Sequence, residues 1–249
     1  MEVKYRLLIQ GSINNQISSF ITDYRSVGQI ALNNLRVQTW DKQMLSIIRS
    51  LYLETGTLFA RITYKELGQQ AKRFSFDWER LLVAFFNEHG LEFVQDISET
   101  TRRFIIEVLA DGVREQLGLD EIVNRLLRSG VSKIRAARIA RTETMRAANY
   151  GAMVGADAHP FEVTKIWITA QDERVRGQIG GRYPNSPFSH AILDRQETDF
   201  DKPFFNGENL DQPGDPKASA ANTINCRCNV GFYPKRDQNG RLIMKQTIS

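Results

Sequence analysis

The stretch that decides the fold runs from Ser132 to Thr169 and reads SKIRAARIARTETMRAANYGAMVGADAHPFEVTKIWIT. Up to about Asp157 it is rich in alanine and other helix-forming residues, and its small and apolar residues recur at helical spacing. After His159-Pro160 the pattern changes to short runs of β-branched and aromatic residues, of which Val163 to Thr169 is the first. Because a long helix leads directly into strand-like segments separated by loops, the sequence predicts an α+β fold.

The predicted organisation has two parts. Residues 1–131 are expected to form a helical N-terminal region with long helices. Residues 132–249 are expected to contain the long helix quoted above and a small β-rich C-terminal module, whose loops are rich in Gly, Pro, Asn, Asp and Ser.

Apolar stripes at helical spacing support the helical part. One runs from Ile13 to Tyr24 and another from Met44 to Tyr52, and the second extends toward Lys72, although Gly56 weakens its continuity. Capping residues and glycine stops predict three further helices, at Asp77 to Asn87 ending at Gly90, at Ser98 to Gln116 ending at Gly118, and at Asp120 to Arg128 ending at Gly130.

One face of the long helix consists of small residues. At about 100° per residue they fall within an arc of about 100°, so another backbone can approach this face closely. Arg141 lies at the border of the stripe, where its charge needs a partner or a water-filled edge. The residues of this stripe are Ala137, Ala140, Thr144, Ala147, Ala148, Gly151 and Gly155.

Composition excludes several classes of protein. The chain has 249 residues, of which 41% are hydrophobic, and this is enough to bury a core. Two cysteines, Cys226 and Cys228, cannot form a disulfide framework, and reduced thiols are expected. The first residues lack the order of a secretory signal, and the longest strongly apolar run, Leu81 to Phe86, is too short to span a bilayer. We therefore expect no membrane association.

An ordered series of polar motifs occupies the second half of the chain. The series is Ala140-Arg141-Thr142-Glu143, Asn149, Lys165-Ile166-Trp167, Asp172-Glu173-Arg174-Val175-Arg176, His190, Pro213-Gly214-Asp215-Pro216 and Asn225-Cys226-Arg227-Cys228. From Ser132 to Phe232 this series resembles the phage Mu F-like minor head proteins, which include the SPP1 type of head morphogenesis protein. The one departure is His190, which that family places nearer to the Asp-x-Arg-Val-Arg element; here Gly177 to Ser189 intervenes as an insertion.

The resemblance implies a structural protein of a tailed bacteriophage without catalytic residues. It implies a location in the virion, inside the head near the portal vertex, and in the host cytoplasm during assembly. The implied activity is head assembly, genome packaging or DNA delivery. The implied partners are the portal protein and, in addition, packaged DNA, a scaffold or the major capsid protein. The motif residues expected to form a structural network are Arg141, Thr142, Glu143, Asn149, Trp167, Asp172, Arg174, Arg176, His190, Asn225, Cys226, Arg227 and Cys228.

Basic residues suggest an alternative function. Seven lie between Arg125 and Arg146 against one acid, Glu143, although the net charge of the chain is only +4. Arg135, Arg138 and Arg146 project away from the small-residue stripe, where they could bind DNA phosphates without sequence preference. A solvated helix face explains the same pattern equally well.

Zinc binding and catalysis are the remaining alternatives. Asp172, His190, Cys226 and Cys228 are residue types that bind zinc, and His190 with the two cysteines is the candidate metal set. A metal-dependent, nuclease-like enzyme would use Glu143, Asp172 and His190, but no nuclease spacing supports it. The favoured hypothesis needs no cofactor.

That hypothesis is a polar network that cross-links the loops of the C-terminal module. If Asn225 to Cys228 form a strand, both thiols lie on one face. Arg227 then lies on the other face, where it can reach a carboxylate such as Asp172 or Glu143.

Overall fold

The computed structural model describes residues 1–27, 31, 37–68 and 77–245. Five helices come first: α1 (Glu2–Val27), α2 (Val37–Leu67), α3 (Trp78–Arg114), α4 (Leu119–Arg128) and α5 (Val131–Asp157). The C-terminal part contains β1 (Val163–Ile168), a short 3-10 helix (Ala191–Leu193), β2 (Glu197–Asp199), β3 (Phe204–Phe205), β4 (Asn209–Leu210), α6 (Ala220–Thr223) and β5 (Asn229–Pro234). Long helices followed by a small antiparallel sheet confirm the predicted α+β class.

The described residues divide into two compact units. One comprises Met1–Ser50 and Phe85–Ala140, and the other comprises Leu51–Ala84 and Arg141–Ser249. These segments differ from the predicted regions 1–131 and 132–249, because α2, α3 and α5 each contribute residues to both units.

The first unit is built around the apolar face of α1. Tyr5, Ile9 and Ile13 are fully buried, and α4 contacts α1 through its own buried face. The side chain of Ser98 donates a hydrogen bond of 2.6 Å to Asp41, which joins α3 to α2 within this unit.

Two predicted helix boundaries are wrong. The helices predicted to end at Gly90 and to restart at Ser98 are parts of one continuous helix, α3. Buried apolar residues, among them Phe86 and Phe93, continue at helical spacing across Gly90. Their burial outweighs the roughly 1 kcal/mol that a glycine costs inside a helix. The stop at Gly130 is confirmed, because α4 ends at Arg128 and Gly130, two residues later, has a φ of 61°.

In the second unit α2 and α5 approach each other closely. A Cβ atom on Gly151 would lie 2.2 Å from the carbonyl oxygen of Gly56, and one on Gly155 would lie 2.3 Å from that of Ala60. The predicted burial of the small-residue stripe is confirmed for five of its seven residues, whereas Ala137 and Thr144 are half-buried. Gly56 lies within α2, and the predicted extension of this helix stops at Leu67, with residues 69–76 outside the described residues.

The sheet of the second unit has the strand order β2-β1-β5, with both pairs antiparallel. β3 and β4 form a separate two-stranded ribbon. The largest buried side chain of this unit's core, Trp167, lies on β1 and packs in a cluster with Phe204, Cys226 and Cys228. The module core therefore includes both cysteines.

Candidate metal centre and its polar network

His190 stands at the centre of the candidate site and is only 2% exposed. Its backbone N–H donates to the carbonyl oxygen of Arg176 at 2.9 Å, which fixes the residue just before the 3-10 helix. Its ring Nε2 lies 2.7 Å from the side-chain oxygen of Asn222. Its ring Nδ1 lies 3.5 Å from the sulfur of Cys226 and 3.4 Å from that of Cys228.

The surroundings of Asn222 determine the tautomer of His190. The side-chain nitrogen of Asn222 donates to Glu208 and to the side-chain oxygen of Asn206, both at 3.0 Å, so its oxygen faces the imidazole. An amide oxygen only accepts hydrogen bonds, and Nε2 must therefore carry the proton. The lone pair of Nδ1 then points toward the two sulfur atoms.

The two thiols are buried and free of any disulfide, and their sulfur atoms lie within 4.8 Å of each other. The hydrogen bond with Cys228, and after it the adjacent imidazole of His190, lower the pKa of Cys226 well below its usual value. For Cys228, the hydrogen bond with Cys226 and burial raise the pKa, and the indole of Trp167 opposes that rise. The backbone N–H of Cys228 also donates to the sulfur of Cys226 at 3.4 Å. The environment thus favours one thiolate.

His190, Cys226 and Cys228 together form a group that could hold a metal ion. Their ligand atoms lie within 4.8 Å of one another. The cofactor hypothesis from the sequence is supported to this extent: the three predicted ligands meet in one buried cluster.

Asp172, the fourth ligand type considered from the sequence, is bound elsewhere. Its two carboxylate oxygens accept hydrogen bonds from the guanidinium of Arg227, and the backbone N–H of Arg174 donates to it at 2.9 Å. The hydrogen bonds from Arg227 lower the pKa of Asp172 to about 2. Its oxygens therefore accept hydrogen bonds from Arg227 and Arg174 and do not contribute to the cysteine cluster.

The segment that carries the cysteines is not a strand, contrary to the prediction. β5 begins only at Asn229, and Asn225 adopts a φ of 61°. Hydrogen bonds from other elements shape this segment instead of a strand ladder. The two predicted orientations still hold, because the thiols are buried and Arg227 reaches Asp172.

Three side chains of α5 hold that segment in place. Arg141 donates to the side-chain oxygen of Asn225, and the hydroxyl of Thr142 accepts from its backbone N–H, both at 2.8 Å. Asn149 donates to the carbonyl oxygens of Pro213 and Cys228 at 3.1 and 3.0 Å, and accepts from the N–H of Val230 at 2.9 Å. Arg141 thus has the partner that its position at the stripe border requires.

Glu143 and Arg146 form a second, fully buried network. Arg146 donates to both carboxylate oxygens of Glu143 at 3.1 and 3.2 Å and to the carbonyl oxygen of Gly214 at 3.0 Å. The hydroxyl of Tyr52 on α2 donates to Glu143 at 2.8 Å, and burial raises the pKa of this tyrosine. The predicted role of Arg146 in a DNA-binding face is wrong, because its side chain is buried in this network.

The other two arginines of the predicted basic face differ in their surroundings. Arg135 donates to the carbonyl oxygen of Ile97 and the hydroxyl of Thr101 at 3.1 and 3.2 Å, and burial lowers its pKa to about 10. Of the three arginines predicted to contact DNA, Arg138 is exposed, Arg135 is half-buried and Arg146 is buried.

Several site residues were not singled out from the sequence. Tyr52, Asn206, Glu208 and Asn222 carry no local motif, and their roles depend on partners between 14 and 91 residues away along the chain. Arg176 was predicted and joins the site by donating to the carbonyl oxygen of Ile224.

Taken together, the fold and the site describe an α+β protein with a buried His/Cys/Cys cluster inside a polar network. Among known protein families, curated proteins and solved structures, comparison finds none that matches this chain. Across the residues that the structure describes, no helix combines the length and apolar character needed to cross a membrane.

Proposed function

We propose that this chain is a minor head protein of a tailed bacteriophage, located inside the head at the portal vertex. There it acts in head assembly and in genome packaging or delivery, with the portal protein as its main partner. The observation that carries the proposal is the convergence of the motif residues: segments far apart in sequence meet around α5 and the cysteine segment.

The type of contact favours a structural role over a catalytic one. Glu143 is bound by Tyr52 and Arg146, and Asp172 is bound by Arg227. The Asp172–Arg227 pair joins two of the motifs, and Tyr52 and Arg146 satisfy the carboxylate of a third. Buried networks of this kind fix the relative positions of loops. A module held in this way can present a constant surface to a partner in an assembly.

The inventory of purified particles tests this proposal. Quantitative mass spectrometry should find the chain in intact virions at a few copies per head, and chemical cross-linking should join it to the portal protein. Arg227→Ala breaks the ion pair with Asp172 and should reduce incorporation. Arg182→Ala removes only an exposed pair with Glu173 and should not. Absence of the chain from particles would overturn the proposal.

We also propose that the His190, Cys226 and Cys228 cluster binds zinc. Zinc–sulfur bonds of about 2.3 Å and zinc–nitrogen bonds of about 2.0 to 2.1 Å at tetrahedral angles put nitrogen and sulfur roughly 3.6 Å apart. The distances here, 3.5 and 3.4 Å, are close to that value. The hydrogen bond from Nε2 to Asn222 orients the imidazole in the way usual for zinc ligands.

Metal analysis of the purified protein separates zinc from a purely hydrogen-bonded thiol cluster. Elemental mass spectrometry should find close to one zinc per chain, lost in Cys226→Ser and in His190→Ala. The matched control is His159→Ala, because His159 is buried but binds the carbonyl oxygen of Tyr64 and not the cluster. A wild-type protein that takes up no zinc from a zinc-containing buffer would leave only the hydrogen-bonded cluster.

A further inference from the structure

A pocket beside the cysteine cluster is lined by basic side chains. Three of its lining residues are the candidate ligands His190, Cys226 and Cys228, and three more are the arginines Arg174, Arg176 and Arg227. The pocket therefore joins the ligand atoms to a basic rim.

The three ligands leave one position of a tetrahedral zinc without a protein donor. Over residues 1–27, 31, 37–68 and 77–245, no fourth histidine, cysteine or carboxylate joins the cluster. Asp172, the nearest carboxylate considered, has both oxygens bound to Arg227. Zinc sites with three protein ligands take the fourth ligand from solvent or from a bound molecule.

The charge of the side chains around the pocket favours a particular charge on the fourth ligand. Zinc with two thiolates and a neutral imidazole is electrically neutral, so the surroundings decide the net charge. Arg174, Arg176 and Arg227 bring three positive charges, and Asp172 neutralises one of them. Arginine binds oxyanions through several N–H groups at once, which suits a tetrahedral anion with more than one free oxygen.

We propose that a phosphate-type oxyanion binds in this pocket and completes the coordination of the zinc. This inference rests on the zinc proposed above. One oxygen of the anion takes the fourth zinc position, and its remaining oxygens accept hydrogen bonds from Arg174 and Arg176. The anion is either inorganic phosphate or a phosphodiester of DNA, since both carry at least two free oxygens on phosphorus, one for the metal and one for the arginines.

The experiment uses the full-length protein loaded with Co²⁺ in place of zinc, because the visible absorption of cobalt reports changes in its ligands. Inorganic phosphate added in a phosphate-free buffer should shift the cobalt bands and saturate. Arg174→Gln should raise the phosphate dissociation constant by about tenfold, the effect of losing one charge-assisted hydrogen bond. Arg182→Gln, an exposed arginine outside the pocket, should leave that constant unchanged.

The outcomes separate this inference from the zinc proposal. If cobalt binds but its spectrum does not respond to phosphate, the proposed anion site is overturned and the proposed metal site stands. Wild-type protein that binds neither cobalt nor zinc overturns both. Equal weakening by Arg174→Gln and Arg182→Gln shows nonspecific charge attraction and also overturns the anion. A single-stranded oligothymidylate that produces the same shift assigns the anion to DNA, and a response to phosphate alone assigns it to the free ion.

Discussion

At the scale of single residues, Asp172 gives the C-terminal module a defined dependence on pH. Its pKa is lowered to about 2 by Arg227, whereas a free aspartate titrates near pH 4. A folded-state pKa below the unfolded one adds stability above the unfolded value, and that stability is lost as the pH falls through the folded value.

Asp172→Asn should therefore lower the urea midpoint at pH 6, and the difference from wild type should shrink between about pH 4 and pH 2. Urea unfolding at a series of pH values measures this. Asp201→Asn is the control, because Asp201 makes only a long ion pair of 3.7 Å with Lys202 and both side chains are exposed. A difference that stays constant down to pH 2 would show that the Asp172–Arg227 pair does not stabilise the fold.

Asn149 is the second residue with a strong expected effect. Its side chain makes three buried hydrogen bonds to the backbone of the Pro213 loop, of Cys228 and of Val230. Asn149→Ala leaves these backbone groups without partners and should cost about 3 kcal/mol of unfolding free energy. Asn124→Ala on the exposed face of α4 should change stability little. Chemical denaturation of the two variants makes the comparison.

At the scale of elements, the contact between α2 and α5 depends on glycine. Gly151→Ala places a methyl group against the backbone of Gly56, at a position where both helices must move apart. The strain should destabilise the protein by about 1 to 3 kcal/mol, even though alanine favours a helix more than glycine does.

Gly11→Ala in α1 is the matched control for that substitution. A Cβ atom on Gly11 meets no other atom within 4 Å, and the residue is exposed. This variant should gain about 0.5 to 1 kcal/mol from helix propensity alone. Thermal melts of the two variants should thus shift in opposite directions. A shift to higher temperature for Gly151→Ala would mean that the helices are not in close contact.

The helices also show where reasoning from the sequence succeeds and where it does not. The small-residue stripe of α5 is a periodic pattern within one element, so its burial could be predicted. The continuity of α3 through Gly90 could not, because a glycine stop and a tolerated helix glycine look alike until the packing of Phe86 and Phe93 is known.

At the scale of the whole molecule, the sequence predicts the fold class and the convergence of the motif residues, but not the network that joins them. A carboxylate partner for Arg227, either Asp172 or Glu143, could be predicted from charge and motif position, and the structure has Asp172 in that role. The roles of Tyr52, Asn206 and Asn222 could not, since each depends on a partner in a distant segment. Long-range hydrogen bonds leave no local pattern in a sequence.

The last prediction concerns how far the effect of metal removal extends. If zinc binds at His190, Cys226 and Cys228, it stabilises the folded state by about 4 kcal/mol when free zinc exceeds its dissociation constant a thousandfold. The ligands lie in the second unit, whereas α1 and α4 have their own buried core in the first. Chelation should thus speed amide hydrogen exchange in β1, in β5 and around the cysteine segment.

Amides of α1 and α4 should keep their protection, because local opening follows the cooperative unit that lost its stabilising contact. Hydrogen exchange followed by mass spectrometry, with and without chelator, resolves these segments. His190→Ala should reproduce the pattern of the chelated protein and should not respond to chelator. Faster exchange of equal size throughout α1, α4 and the sheet would instead mean that the chain unfolds as one cooperative body.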